Sequence, residues 1–219
     1  MPSNSQLTKL GDRLRRNEIT DNDLKALDEF RQTFSDIERQ AFSIIEEAIE
    51  QYDNLLVTKR NRKTQQSIVD KLHRQSSIRL PQMQDIVGCR IEIQSGTTEA
   101  KKISDVLTAA FKKHQWKIQI KDRHVFGYRA IHIIVKLNQM FYEIQVRTFA
   151  QNYWANLVES ASDKKNTLKY GGSEQEQPLI KKLYLLSEQL SRIDDNAHTL
   201  SFKEYSKNIE EVVRRVLSH

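Results

Sequence analysis

Four short runs carry polar residues at alternate positions opposite apolar ones, and this restricts the chain to folds built on a sheet with two unlike faces. Cys89 to Gln94 sets Arg90, Glu92 and Gln94 against Ile91 and Ile93. Trp116 to Lys121 sets Lys117, Gln119 and Lys121 against Trp116, Ile118 and Ile120. Ala130 to Leu137 opposes His132 and Lys136 to Ile131, Ile133, Val135 and Leu137, and Tyr142 to Arg147 opposes Glu143, Gln145 and Arg147 to Tyr142, Ile144 and Val146. A solvated face would explain charge alone. It explains less well why Arg, Lys, His, Glu and Gln gather beside a Gly-Tyr turn, so the polar face is read as the floor of an anionic-substrate site.

Helical spacing surrounds these runs. A short basic helix is expected over residues 5–16. Thr20 and Asp23 form a capping-box pattern, and Leu24, Leu27, Phe30, Phe34, Ile37, Ala41, Ile44, Ile45, Ala48 and Ile49 then predict one long amphipathic helix to about Tyr52. A helix carrying Ile68 and Leu72 follows the basic run Lys59-Arg60-Asn61-Arg62-Lys63, and Pro81 ends the helical pattern before Asp85. Further helices are predicted over 98–113, from Thr148, near 178–194 and over 201–218. Asn138-Gln139 suggests a hairpin, and Gly171-Gly172-Ser173 a linker. The divisions expected are a helical extension over 1–54, a core over 55–170 and a second helical extension over 171–219.

Composition removes several classes of function. The single cysteine, Cys89, excludes an internal disulfide and a cysteine zinc site. No apolar run approaches the roughly 20 residues that span a bilayer. The opening Met-Pro-Ser-Asn-Ser-Gln lacks the pattern of a signal peptide, so the expected location is cytoplasmic. A net charge of +6 favours anionic partners without choosing between nucleotides and nucleic acid. No Gly-rich phosphate loop is present, so bound phosphates would be held by side chains.

Asp85, at the start of one strand, and Glu143, on the polar face of another, are the best pair of candidate catalytic carboxylates. Two carboxylates from different strands can hold Mg²⁺, which fills its remaining positions with water and phosphate. A structural salt bridge from Glu143 to a nearby cation is the competing reading. The basic run has three readings: a solvated helix start, an RNA contact or a triphosphate grip. Tyr128 offers a stacking surface for a base or a packing residue at a strand edge, and His132 shares the face of Glu143.

In order, Lys63-Thr64-Gln65-Gln66-Ser67-Ile68-Val69-Asp70-Lys71-Leu72, Asp85-Ile86-Val87-Gly88-Cys89-Arg90, Lys121-Asp122, Gly127-Tyr128-Arg129-Ala130-Ile131-His132 and Glu143-Ile144-Gln145-Val146-Arg147-Thr148 with Trp154-Ala155 resemble the synthetase domain of the RelA/SpoT family. The resemblance covers roughly residues 55–160 and looks like the small alarmone synthetase type. It implies an α+β, nucleotidyltransferase-like fold, with a mixed, mostly antiparallel sheet of about five strands flanked by helices. The implied activity moves the β,γ-pyrophosphate of ATP to a ribose 3′-hydroxyl and releases AMP, with Mg²⁺ as cofactor. By this resemblance Asp85 and Glu143 are the metal-binding and catalytic acids, and Arg90 stacks on the adenine. Lys59, Arg60, Arg62, Lys63 and Ser67 complete the ATP side. Tyr128 stacks on the acceptor base, and Lys121, Gly127, His132, Gln145 and Arg147 line the acceptor side.

Three departures from the family pattern bear on the acceptor. Asn61 stands where an arginine is usual, with Arg60 and Arg62 beside it. Only Arg123-His124-Val125-Phe126 separate Lys121-Asp122 from Gly127. The stretch Gln151-Asn152-Tyr153-Trp154-Ala155-Asn156-Leu157-Val158-Glu159 is similar to toxin-type members. The expected acceptor is GDP or GTP, giving (p)ppGpp. An adenine nucleotide or the tRNA 3′ end is the alternative, and an inactive nucleotide-sensing or RNA-binding module is a third reading. An antitoxin or a second copy of the chain is open as a protein partner.

Overall fold

The computed structural model describes residues 2–162, 168 and 173–218. Its elements run α1 (Asn4–Arg15), α2 (Asp21–Gln32), α3 (Ser35–Ile49), β1 (Leu55–Arg60), α4 (Gln65–Arg74), β2 (Gly88–Ile93), α5 (Thr97–Lys113), β3 (Lys117–Val125), β4 (Tyr128–Leu137), β5 (Met140–Thr148), α6 (Phe149–Ala161), α7 (Gln177–Asn196) and α8 (Phe202–Leu217). The strands form one five-stranded sheet in the order β1-β2-β5-β4-β3. β2 and β5 pair in parallel, and the other neighbours are antiparallel. This is the mixed, mostly antiparallel α+β sheet expected from the sequence.

Period-2 alternation decides how the sheet is dressed. Cys89, Ile91, Ile93, Ile133, Val135, Tyr142, Ile144 and Val146 fill the apolar face and belong to one continuous core. Helices α3 and α5 cover that face, placing Ile37, Ile45, Ile103, Leu107 and Phe111 against it. Each such side chain taken fully out of water contributes roughly 1.5–3 kcal/mol. Residues of α1 and α2, including Leu14 and Leu27, are continuous with the same core. The other end carries a second core, in which α6, α7 and α8 bury Trp154, Val158, Leu183, Leu186, Leu190, Tyr205 and Ile209.

Two features depart from the expectations. The long helix to Tyr52 is two helices, α2 and α3, broken at Thr33-Phe34. Phe34 is buried and keeps the apolar spacing, which hid the break. The Thr33 hydroxyl donates to the Phe30 carbonyl at 2.7 Å, and the Ser35 hydroxyl to the Gln32 carbonyl at 2.9 Å, so side chains compete with the ladder at the junction. The basic run leads into α4 as expected, but it is not all helix start. Lys59 and Arg60 end strand β1, and Arg62 and Lys63 lie in the link to α4, whose cap is Thr64. The Asn138-Gln139 hairpin forms with both residues at positive φ, 47° and 71°, as a tight turn between twisted strands requires. Gly171 and Gly172 of the expected linker, and the division at 170/171, lie outside the described residues. Among the described residues no helix is long and apolar enough to cross a membrane.

Helix α7 is fastened to the end of β5 by a buried carboxyl. Thr148, the last residue of β5 and the cap of α6, donates its hydroxyl to Asp194 Oδ2 at 2.7 Å. The Tyr205 hydroxyl donates to Asp194 Oδ1 and accepts from the Ala150 amide at 3.2 Å.

Candidate active site

The parallel pairing of β2 with β5 puts Gly88 opposite Glu143, Arg90 opposite Gln145 and Glu92 opposite Arg147. On the far side of β5, His132 stands opposite Gln145, and Lys121 of β3 stands opposite His132. One sheet face therefore gathers Arg60, Arg90, Glu143, Gln145, Arg147, His132 and Lys121 from all five strands. A solvated face is excluded, because His132, Glu143, Gln145 and Arg147 are all buried.

Asp85 precedes β2 by three residues and reaches the same ground. The Lys63 amide donates to the Ile86 carbonyl at 2.8 Å, and the Glu143 amide to the Val87 carbonyl at 3.1 Å, fixing the segment between β1 and β5. Lys63 Nζ lies 3.2 Å from Asp85 Oδ2, and Lys71 Nζ lies 2.7 Å from Oδ1. Burial pushes the Asp85 carboxyl up, but the lysines outweigh it and hold it below the usual carboxylate range. The nearby Glu143 charge opposes them. The two acids thus share one electrostatic neighbourhood.

Glu143 accepts three hydrogen bonds. His132 Nδ1 is 2.8 Å from Oε1, while Arg60 Nη1 at 2.6 Å and Gln145 Nε2 at 2.9 Å meet Oε2. Against the upward push of burial, His132, Arg60 and Gln145 hold this carboxyl well below its ordinary value. The chain of contacts continues outward. His132 Nε2 is 2.9 Å from the Tyr128 hydroxyl, which accepts from Arg147 Nη2 at 2.7 Å. Since Arg147 can only donate, the Tyr128 proton is free to point at His132 Nε2, which leaves the Nδ1 proton facing Glu143. Arg147 also donates to Gln145 Oε1 at 2.9 Å and lies over the Tyr128 ring, 4.9 Å from its centroid. Burial lowers the His132 pKa, with Glu143 opposing.

The tyrosine is placed by a strained turn. Phe126 and Gly127 have φ values of 51° and 85°, so β3 and β4 are joined by a two-residue turn. Gly127 is required twice over. Its positive φ suits glycine, and a Cβ there would come within 2.8 Å of the Trp154 ring. Phe126 and Val125 are left about half exposed at the tip, at 54% and 51%.

The sequence-predicted residues divide into three groups. Glu143, Arg60, Tyr128, His132, Gln145 and Arg147 form one hydrogen-bonded network, Asp85 and Lys63 form a second cluster within reach of the Glu143 charge, and Lys121 is held to Gln84 at 2.7 Å. Burial lowers the Lys121 pKa, with Arg123 acting in the same direction and Glu143 opposing. Arg90 faces the same side, half-buried, and its Nε has no hydrogen-bond partner among the described residues. Ser67 sits in the first turn of α4, its hydroxyl accepting from Thr64 at 2.9 Å. Gly127 acts through the turn.

Lys59 and Arg62 are not brought to the acids. Lys59 alternates to the opposite face of β1, where its ammonium lies 3.9 Å above the Phe42 ring, in a cavity of about 390 Å³ under α3. Arg62 is turned toward α3 and bonds Glu38 at 2.7 Å, Gln32 at 2.8 Å and Ser35 at 2.9 Å. Lys71 was not singled out from the sequence, although it follows Ser67 by one helical turn and shares its face.

The donor set suits magnesium, which takes one or two carboxylates and completes its shell with water and phosphate oxygens. Among the described residues no three of His, Cys, Asp or Glu gather as a self-sufficient metal cage. Two carboxylates with lysine and arginine side chains beside them match that preference.

Comparison with known proteins bears on this site. Residues 60–167 match the family model described as "Region found in RelA / SpoT proteins". Rv1366 of Mycobacterium tuberculosis, an uncharacterised protein, is 36% identical over 110 residues, which are 50% of this chain and 40% of that protein. The GTP pyrophosphokinase YjbM of Bacillus subtilis is 30% identical over 141 residues, 59% of this chain and 64% of that one. The chain therefore spans less than two thirds of either curated relative. The crystal structure of small alarmone synthetase 1 from Bacillus subtilis superposes with a TM-score of 0.59 at 25% identity, covering 88% of this chain and 100% of that one.

Proposed function

We propose that this chain, which matches the RelA/SpoT region over residues 60–167 and superposes on a small alarmone synthetase, transfers pyrophosphate from ATP to the 3′-hydroxyl of a nucleotide. The observation that carries this reading is the acid pair Asp85 and Glu143, one in the segment leading into β2 and the other on the parallel neighbour β5, with Lys63, Lys71 and Arg60 against them. Tyr128, His132 and Arg147 lie on the far side of Glu143, so the site has a cationic half and an aromatic half.

These halves divide the work. Lys63, Lys71 and Arg60 hold the triphosphate oxygens, and Arg90, with an unused donor, offers its guanidinium plane to the donor base. Asp85 and Glu143 would hold Mg²⁺, which would neutralise the triphosphate as AMP departs. Tyr128 packs the acceptor base so that its 3′-oxygen faces the β-phosphorus. That oxygen forms a bond to the β-phosphorus as the bond between the β-phosphorus and the α,β-bridging oxygen breaks. The hydroxyl proton passes to the Glu143 carboxylate, which serves as the base. Most of the acceleration in such transfers comes from positioning and charge, which buried, hydrogen-bonded side chains supply.

The leading acceptor is GDP or GTP, supported by the likeness to a GTP pyrophosphokinase. A polynucleotide 3′ end such as that of tRNA is a second reading. It is favoured by the two-residue β3–β4 turn, whose exposed tip carries Arg123, His124, Val125 and Phe126 beside Tyr128. The test supplies γ-labelled ATP with GDP, GTP, ADP, ATP or deacylated tRNA separately, with Asp85→Asn as the control. Label should pass to one acceptor class in the wild type and to none in the variant. Transfer at the wild-type rate by Asp85→Asn would remove the acid pair from the mechanism.

A further inference from the structure

The acids of the site are fully engaged by the chain's own groups. Lys71 and Lys63 take the two oxygens of Asp85. His132 takes Oε1 of Glu143, and Arg60 with Gln145 takes Oε2. Two carboxylates therefore face three cations, with Lys121 close by. A divalent cation arriving alone meets like charge, and every carboxylate oxygen it could use already has a partner in the chain. A polyphosphate reverses this balance. Its oxygens compete for the lysines and the guanidinium, and each cation drawn away uncovers a carboxylate oxygen.

Arg60 is the group built to move. It is the last residue of edge strand β1, with its side chain 32% exposed, whereas that of Glu143 is 5% exposed. Glu143 stays in place through His132, Gln145 and the pairing of β5. The Arg60 side chain can swing toward solvent without breaking the ladder.

We propose that Arg60 is a stand-in counter-ion for Glu143, so that the divalent-cation site is completed only when a polyphosphate draws Arg60, Lys63 and Lys71 off the two acids, and metal and donor enter together. This rests on reading the site as a polyphosphate-donor site. It adds a binding order and a positioning role for Arg60 before any chemistry.

Manganese binding tests it without reference to turnover. The full chain is titrated with Mn²⁺ alone, following free Mn²⁺ by electron paramagnetic resonance, and again with inorganic triphosphate, following the water-proton relaxation of protein-bound Mn²⁺. The wild type should bind Mn²⁺ weakly alone and form a ternary complex with triphosphate. Arg60→Met and Arg60→Gln should each bind nucleotide-free Mn²⁺ at least about tenfold more tightly, the scale expected when one nearby positive charge is removed. Arg60→Lys, which keeps the charge, should stay near the wild type. Adding Glu143→Gln to Arg60→Met should abolish the gain. The proposal is overturned if the wild type binds Mn²⁺ alone as tightly as Arg60→Met, or if neither neutral variant gains affinity. A gain in the variants with no ternary complex in any protein would keep the counter-ion role and sink the donor reading. A ternary complex in the wild type with no gain in the neutral variants would do the reverse. Circular dichroism of each variant guards against misfolding.

Discussion

Replacing Asp194 by Asn should flatten the dependence of stability on pH. Asp194 is buried between Thr148 of β5 and Tyr205 of α8, and burial pushes its carboxyl up from the usual 3.8 to about 7. Asp195 adds to the rise, while the hydroxyls of Tyr205 and Thr148, and more weakly Arg129, oppose it. A group whose pKa is raised on folding contributes stability that is fully present below its unfolded value and is lost as pH rises through its folded value. The folded chain holds a proton over that window that the unfolded chain has released. The interval from 3.8 to about 7 is about three pH units. At about 1.4 kcal/mol per unit, roughly 4 kcal/mol of stability is lost across it. Asn keeps the shape and, like the protonated carboxyl, offers a donor and an acceptor oxygen to the two hydroxyls, so its stability should not follow this titration. Urea midpoints would be taken from pH 5 to 8, using tryptophan fluorescence and circular dichroism together. Relative to Asp194→Asn, the wild type should lose about 3 kcal/mol of stability between pH 5 and pH 7 and little more by pH 8. Subtracting one profile from the other removes His132, whose lowered pKa tilts both in the opposite direction. Parallel profiles would refute the buried-proton account.

Three other substitutions test separate parts of the structure. In Gly88→Ala the new Cβ would lie 2.1 Å from the Glu143 carbonyl oxygen, so β2 and β5 must part. A loss of about 1–3 kcal/mol in denaturant unfolding, with collapse of transfer activity, is expected, and an unchanged protein would contradict the close approach. Arg62→Ala should cost about 1 kcal/mol of stability by releasing Glu38, while the KM for ATP stays put. A rise in KM would return Arg62 to the donor site. Lys71→Met should lower turnover about a hundredfold with the thermal melt little changed, and normal turnover would remove Lys71 from the site.

Legibility followed how local each signal was. Strands β2, β4 and β5 were readable because a two-residue period leaves its mark on any buried face. The acids were readable because Glu143 sits in β5 and Asp85 just ahead of β2. Strand β1 was obscured because Thr58-Lys59-Arg60 ends it with three polar residues, and only its pairing with β2 makes it a strand. The direction of Arg62 depends on Glu38, far back in the chain, so the basic run could not announce that its members part company. Lys71 left a signal that went unused, namely its place four residues after Ser67. Asp194 left one too. It continues the buried stripe Leu183, Leu186, Leu190, where a solvated carboxylate would not belong.

The lone parallel pairing has a consequence for synthesis of the protein. Gly88 meets Glu143 only after α5 and the β3–β4–β5 meander have intervened, so the two acids come from chain segments made well apart. A ribosome-bound fragment ending before β5 has Asp85 but nothing to face it. The growing polypeptide cannot bring Glu143 to Asp85 until β5 has left the exit tunnel and slotted between β2 and β4.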